Sequence, residues 1–128
     1  MSKHETWRTK QYWEQVGGTL ILEYPAIRAV RSRNGQRLLD GVIIKGGEKA
    51  IVEAGSVDLE GKDIVVLQTK GTRLGMYLMG QAFFSREIMK RYRPRSIESV
   101  AICAQGDAEM EQLCEQFGIK VVVIAGNE

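Results

Sequence analysis

Histidine is nearly absent from this sequence, and cysteine and proline occur only twice each. The one histidine, His4, sits beside the N-terminus, where a solvated side chain is expected, which argues against histidine-based catalysis. Cys103 falls in an apolar strand pattern and Cys114 in an amphipathic helix pattern. Both read as small buried hydrophobes, and neither has the close Cys or His companion that a zinc site needs. Long apolar runs are also missing. None exceeds five residues, as in Val121 to Ala125, against the roughly 20 that a membrane-spanning helix requires. The opening MSKHETWRTK has no apolar stretch behind its charges, so it does not read as a secretory signal. A cytoplasmic protein without a membrane partner is the expectation.

Aromatic residues make up only 7% of the chain. Trp7, Tyr12 and Trp13, and later Phe83 and Phe84, have the spacing of core positions on helices rather than of a base-stacking platform. There is no zinc finger, helix-turn-helix or glycine-rich nucleotide fingerprint. The stretch Gly71 to Gly75, GTRLG, lacks the Walker spacing and its Lys-Ser/Thr, so it reads as a strand–helix turn and no nucleotide cofactor is expected. No repeat, low-complexity tract or linker interrupts residues 1–128, which read as one domain.

What the chain does have is a 44% hydrophobic fraction, ordinary for a globular protein, and an uneven charge. The net charge is +2, yet residues 1–95 hold 17 Lys/Arg against 10 Asp/Glu, while residues 96–128 hold Lys120 against six acids. A basic body and an acidic C-terminal segment say more about partners than the total does.

The periodicity predicts a helix over 5–16, with Thr9, Tyr12, Trp13 and Val16 on one face, stopped by Gly17-Gly18. Thr19 to Tyr24 reads as a strand that Pro25 bends or ends. Asn34-Gly35 signals a hairpin between 26–31 and 37–45. The second arm, RLLDGVIIK, is apolar on both faces apart from Asp40, which suits an interior strand. A short edge strand is expected within 49–57, a buried strand over 63–69 and a long helix over 74–93 that ends at Pro94. A strand over 97–104, a helix over 107–117 and a strand over 119–124 follow. Helical crossovers late in the chain imply right-handed parallel connections. The fold class is therefore α/β, a mixed sheet with helices on both faces in the order αβββαβαβ.

Two features of this pattern carry chemistry. Burying the Asp40 carboxylate costs several kcal/mol unless it is paired or binds metal. The strand DIVVLQTKG ends in Gln68, Thr69 and Lys70, which places an amide and an ammonium two residues apart. If the 63–69 strand pairs beside the 37–45 strand, an aspartate, an oxygen donor and a lysine meet at adjoining strand ends. Two oxygen ligands suit Mg²⁺ with waters and phosphate oxygens completing its shell.

On these residues, Asp40 in LLDGVII and Gln68-x-Lys70 in VVLQTKG, the sequence resembles the PD-(D/E)xK nuclease superfamily, of restriction endonuclease-like fold, and the order of elements resembles that family's core. Leu39 stands where members usually have proline, and Gln68 where most have an acid, although Gln occurs there in some members, Mrr-type restriction enzymes among them. The resemblance implies a Mg²⁺- or Mn²⁺-dependent endonuclease acting on DNA. In it Asp40 is the metal carboxylate, Gln68 and the Thr69 carbonyl are further ligands, and Lys70 is the catalytic lysine. The family's helix acid matches Glu5, Glu14 or Glu23, and resolvase-like members, which place it early in the helix, favour Glu5. A lone catalytic domain further implies a homodimer or recognition of DNA shape, as in junction resolution or repair nicking. Glu60-Gly61-Lys62 is a literal ExK, but its position in a turn sets it aside.

Phosphate contacts are expected from two basic groups. Arg28, Arg31, Arg33 and Arg37 surround the Asn-Gly pair, and Arg86 and Lys90 head a cluster at the end of the long helix. Arg73 lies in the turn after the Gln68-x-Lys70 strand. Two other readings remain open: a nucleic-acid-binding module of the same fold without catalysis, and an unrelated small α/β interaction domain. The last predicts Asp40 paired with an arginine and Lys70 pointing to solvent.

Overall fold

The computed structural model describes residues 2–31 and 34–126. Helix α1 (Lys3–Val16) opens on a capping box. Ser2 Oγ accepts the Glu5 N–H at 3.3 Å and Glu5 Oε1 accepts the Ser2 N–H at 3.1 Å, which satisfies two of the donors that a helix start leaves exposed. Gly17, at φ 79°, ends the helix where a side chain would be strained. Then come β1 (Thr19–Ile27), β2 (Arg37–Ile44), the two-residue β3 (Ala50–Ile51), β4 (Asp63–Thr69), α2 (Met76–Met89), β5 (Ser96–Cys103), α3 (Ala108–Gln116) and β6 (Ile119–Val123).

These strands form one mixed sheet in the order β3-β1-β2-β4-β5-β6. β1 and β2 pair antiparallel, as do β2 and β4. β4, β5 and β6 are parallel, joined by the α2 and α3 crossovers. Central strands that alternate between two apolar environments must be covered on both sides. Tyr12 and Trp13 of α1 bury Leu20, Ile43, Val65, Leu67, Val100 and Ile102 on one face. On the other face Leu78 and Ala82 of α2 meet Ala101, Cys103 and Cys114, and Met89 joins Val42, Ile64 and Val66. The mixed sheet with helices on both faces is as the sequence implies, with β3 as the short edge strand expected within 49–57, which makes four strands before α2 where the order αβββαβαβ counts three.

Local details differ from the sequence reading. β1 continues through Pro25 to Ile27, with a register shift between those residues. The expected hairpin forms with β1 as its first arm: Ala26 and Ile27 belong to β1, Ile27 lies opposite Arg37 of β2, and Val30 and Asn34 add an isolated antiparallel bridge in the loop between the arms. The helix over 74–93 divides into α2 and a 3-10 turn, Lys90–Tyr92. The topology also gathers the C-terminal ends of β1 and β4 and the N-terminal ends of β2, α1 and α2 at one end of the sheet.

Candidate active site

At that end β2 and β4 come apart. Their last paired residues are Gly41 and Leu67, and beyond them the ladder stops. The next residue, Asp40, takes over with its side chain: Oδ2 accepts the Thr69 N–H at 2.8 Å, satisfying a donor that the parting strand has exposed. Pairing is also interrupted on the β1 side. Glu23, opposite Asp40 in the register, is absent from the ladder and adopts φ 51°, a left-handed conformation that is disfavoured for a residue with a Cβ. Gly41 lets α1 approach here, since a Cβ on it would lie 3.2 Å from both Thr9 Cγ2 and Leu67 Cδ1.

That close approach brings α1 over the gap. Thr9 and Thr69 are buried and their hydroxyls lie 2.8 Å apart, with the Thr9 hydroxyl donating onward to the Glu5 carbonyl at 2.8 Å. Through this chain α1 is registered on the end of β4. Glu5 Oε2 then stands 3.8 Å from Lys70 Nζ, while the Lys70 ammonium lies 5.0 Å from the centre of the Tyr77 ring in the first turn of α2, within cation–π range. The Lys70 backbone N–H bonds to Ile102 O, so the residue is anchored to β5. Asp40 feels this setting. Burial, with Glu5's negative charge adding to it, pushes its carboxyl up to about 6, against the lowering effects of the Thr69 N–H and of Lys70.

Among the three candidate helix acids, Glu5 is the one that the structure brings to Asp40 and Lys70. Glu14 pairs with Lys49 at 3.0 Å on an exposed face, and Glu23 is exposed. Glu60 pairs with Arg93 at 3.2 Å and Lys62 is exposed, away from the site. Asp40 has no arginine partner among the described residues, contrary to the interaction-domain reading.

Gln68 is buried and its Nε2 donates to Ser85 Oγ of α2 at 2.6 Å, so its amide nitrogen is held on the α2 side instead of at Asp40. Sequence reading passed over the residues opposite. Tyr77, Gln81 and Ser85 recur every fourth position and so share one face of α2. Tyr77 lies against Lys70 and Ser85 holds Gln68, which places Gln81 between them. Gln81 Oε1 is buried without a hydrogen-bond partner, an uncommon state for a polar atom. The i, i+4, i+8 run of polar residues in an otherwise apolar helix was the available signal.

The basic residues divide by position. Arg28, Arg31 and Arg37 are exposed on and beside the loop before β2, at the same end as Asp40; Arg33 lies outside the described residues. Arg73 is exposed in the turn after β4, lining a polar cleft of about 410 Å³ with His4, Gly71 and Gln105. Arg86 and Lys90 sit toward the C-terminal end of α2, which runs back to the opposite end of the sheet, and both are engaged there. Arg86 donates to Phe117 O at 2.9 Å and Gly118 O at 3.1 Å, and Lys90 bonds Glu87 at 2.9 Å. Arg95, in the same cluster, pairs with Asp63. The crossover carries Arg86 and Lys90 away from the Asp40 end of the sheet, so phosphate contacts made by them would lie apart from the opening.

No group of three His, Cys, Asp or Glu side chains among the described residues converges on one point. A hard cation that keeps several waters needs fewer protein ligands. Asp40, where burial penalises the charge, and Glu5 bring two carboxylates near each other, a donor type that hard divalent cations take.

No family model and no curated protein sequence matches this chain. Solved structures share its fold. EndoMS in a complex with dsDNA aligns over 100% of this chain at a TM-score of 0.60 and 12% identity. Apo EndoMS aligns over the same span at 0.57 and 15% identity. The chain spans 47% and 49% of those structures' lengths. At such identity the likeness establishes the fold alone, a six-stranded mixed α/β sheet with helices that this chain shares with EndoMS.

Proposed function

We propose that this protein is a metal-dependent endonuclease that hydrolyses DNA phosphodiester bonds, selective for DNA structure rather than sequence and acting as a homodimer. The observation that carries the reading is the meeting of Asp40, Glu5 and Lys70 at the opening between β2 and β4, where each comes from a different element. The likeness to EndoMS, one of whose structures is a dsDNA complex, supports double-stranded DNA as the partner.

In this reading Asp40, Glu5 and the Thr69 carbonyl would hold a Mg²⁺ or Mn²⁺ ion. Bound there, such an ion lowers the pKa of a water and offsets phosphate charge. Lys70 supplies a fixed positive charge: its ammonium, steadied by Glu5 and the Tyr77 ring, hydrogen-bonds the attacking water and a non-bridging phosphate oxygen. Gln68 orients α2 through Ser85 instead of serving as a ligand. Arg28, Arg31, Arg37 and Arg73 grip phosphates on either side of the opening.

The test is nicking of supercoiled plasmid and branched DNA with Mn²⁺ or Mg²⁺, wild type beside Lys70→Ala and Asp40→Ala. Metal-dependent nicking that both substitutions abolish supports the reading, and nicking that survives both overturns it. The neutral, engaged Gln68 favours one second reading, a DNA-binding protein of the same fold without catalysis. DNA retention with no nicking in any metal would select it.

A further inference from the structure

One strongly apolar surface plays no part in the site. α2 and α3 lie side by side and leave a groove of about 290 Å³ between them, lined by Met79, Phe83, Phe84, Leu113, Phe117 and Ile119. Its rim is open to solvent: Met76 is 78% exposed, Phe84 62% and Phe117 54%. The groove is held in shape without an occupant. Phe83 packs edge-to-face on Phe84 at 5.1 Å and on Phe117 at 6.0 Å. The Arg86 guanidinium, 5.4 Å from the Phe83 ring centre, ties α2 to the C-terminal carbonyls of α3. With aromatic side chains contributing about 150–250 Å² each, the exposed parts of Met76, Phe84, Leu113 and Phe117 amount to roughly 400 Å² of apolar surface. That is as large as the biggest patch of a typical monomer and about half of the roughly 800 Å² that each partner contributes to a standard interface.

We infer that this face is the contact between two copies of the chain, which gives the homodimer of the proposed function its interface. The charges beside the groove choose the occupant. α2 and the turn after it carry Arg86, Lys90 and Arg91 against Glu87 alone, while α3 and its cap carry Asp107, Glu109, Glu111 and Glu115 with no cation. A two-fold axis through the groove sets the acidic α3 of one copy against the basic end of α2 of the other, so the patch is complementary to itself. Nucleic acid and anionic membrane surfaces would both meet the α3 acids and be repelled. The Phe83, Phe84 and Phe117 side chains form the apolar centre that a contact of this type needs, with a charged rim around it.

The test is sedimentation of the full chain from about 1 to 200 µM, a range that brackets micromolar to submillimolar dissociation constants. Phe84→Glu and Met76→Glu are run beside wild type. Met76 is the most exposed of the patch and makes a charge there compatible with folding, which circular dichroism checks for both variants. Wild type is expected to shift from monomer to dimer across the range, and both variants to weaken association by about 100-fold or more, as a charge buried without a partner at an interface centre does. A wild type that stays monomeric throughout overturns the inference, and so does a dimer that both folded variants leave intact. No cleavage is read in this experiment, so failure of the interface and failure of the nuclease reading are distinguished.

Discussion

Replacing Asp40 with asparagine should stabilise the folded protein at neutral pH while abolishing the nicking proposed for it. In the unfolded chain the carboxyl titrates near 3.8, and in the fold it is pushed up to about 6, mainly by burial. Between these values the native state holds a proton that the unfolded state has lost, so wild-type stability falls as pH rises through this window and levels off above it. At pH 8 this corresponds to a penalty of roughly 3 kcal/mol. Asparagine removes that penalty and can still accept the Thr69 N–H. The value of about 6 is already net of the stronger bond that the carboxylate accepts from Thr69, so the gain approaches roughly 3 kcal/mol. The assay is urea unfolding of both proteins in EDTA, followed by circular dichroism from pH 3.5 to 8. Asp40→Asn should be more stable at pH 8, with the gain disappearing as the pH drops below about 4. Millimolar Mg²⁺ should then raise wild-type stability and narrow the gap, because a ligand that binds only the native state stabilises it. A variant less stable than wild type at pH 8, or a difference that does not change with pH, would refute the electrostatic account of the site.

Other substitutions probe how the opening is built. Thr9→Val keeps the shape of a buried side chain but breaks the hydroxyl chain between the Glu5 carbonyl and Thr69. It should cost about 1–3 kcal/mol in chemical denaturation, with metal-dependent nicking reduced further than the folded fraction explains. Gly41→Ala places a methyl against Thr9 and Leu67, and a shift of α1 that relieves it should lower stability by about 1–3 kcal/mol and slow nicking, read on the same plasmid assay. Glu23→Gly relieves the left-handed backbone at φ 51° and should raise the thermal midpoint, with a gain of about 1 kcal/mol offset in part by the greater freedom of an unfolded glycine. A fall in stability there would show that other Glu23 contacts outweigh the strain. Ser2→Ala removes half of the capping box that positions Glu5; it should cost about 1 kcal/mol by thermal melting.

Local chemistry made much of this architecture readable in advance. Alternation and helical period marked the central strands and all three helices, because burial selects apolar residues at period 2 or 3.6 whatever the partners are. Asp40 stood out for the same reason, as one charge inside an apolar strand, and Lys70 as a cation at the end of another. The hairpin around Asn34-Gly35 was readable, but its first arm was placed too late in the chain, because Pro25 read as a stop while β1 runs through it to Ile27, opposite Arg37.

Pairing across distance was not readable. Choosing Glu5 over Glu14 and Glu23 required knowing which end of α1 lies over the gap, a matter decided by the Gly41–Thr9 approach and the Thr9–Thr69 hydrogen bond. The Gln68 amide turned to Ser85 because α2 folds back over β4, and the same crossover carried Arg86 and Lys90 away from the Asp40 end. A sequence by itself determines which side chains resist burial or require it, since that is a property of each residue with water. Which of the charged and polar groups then face one another is a property of pairs far apart in the chain, and only the tertiary structure decided it.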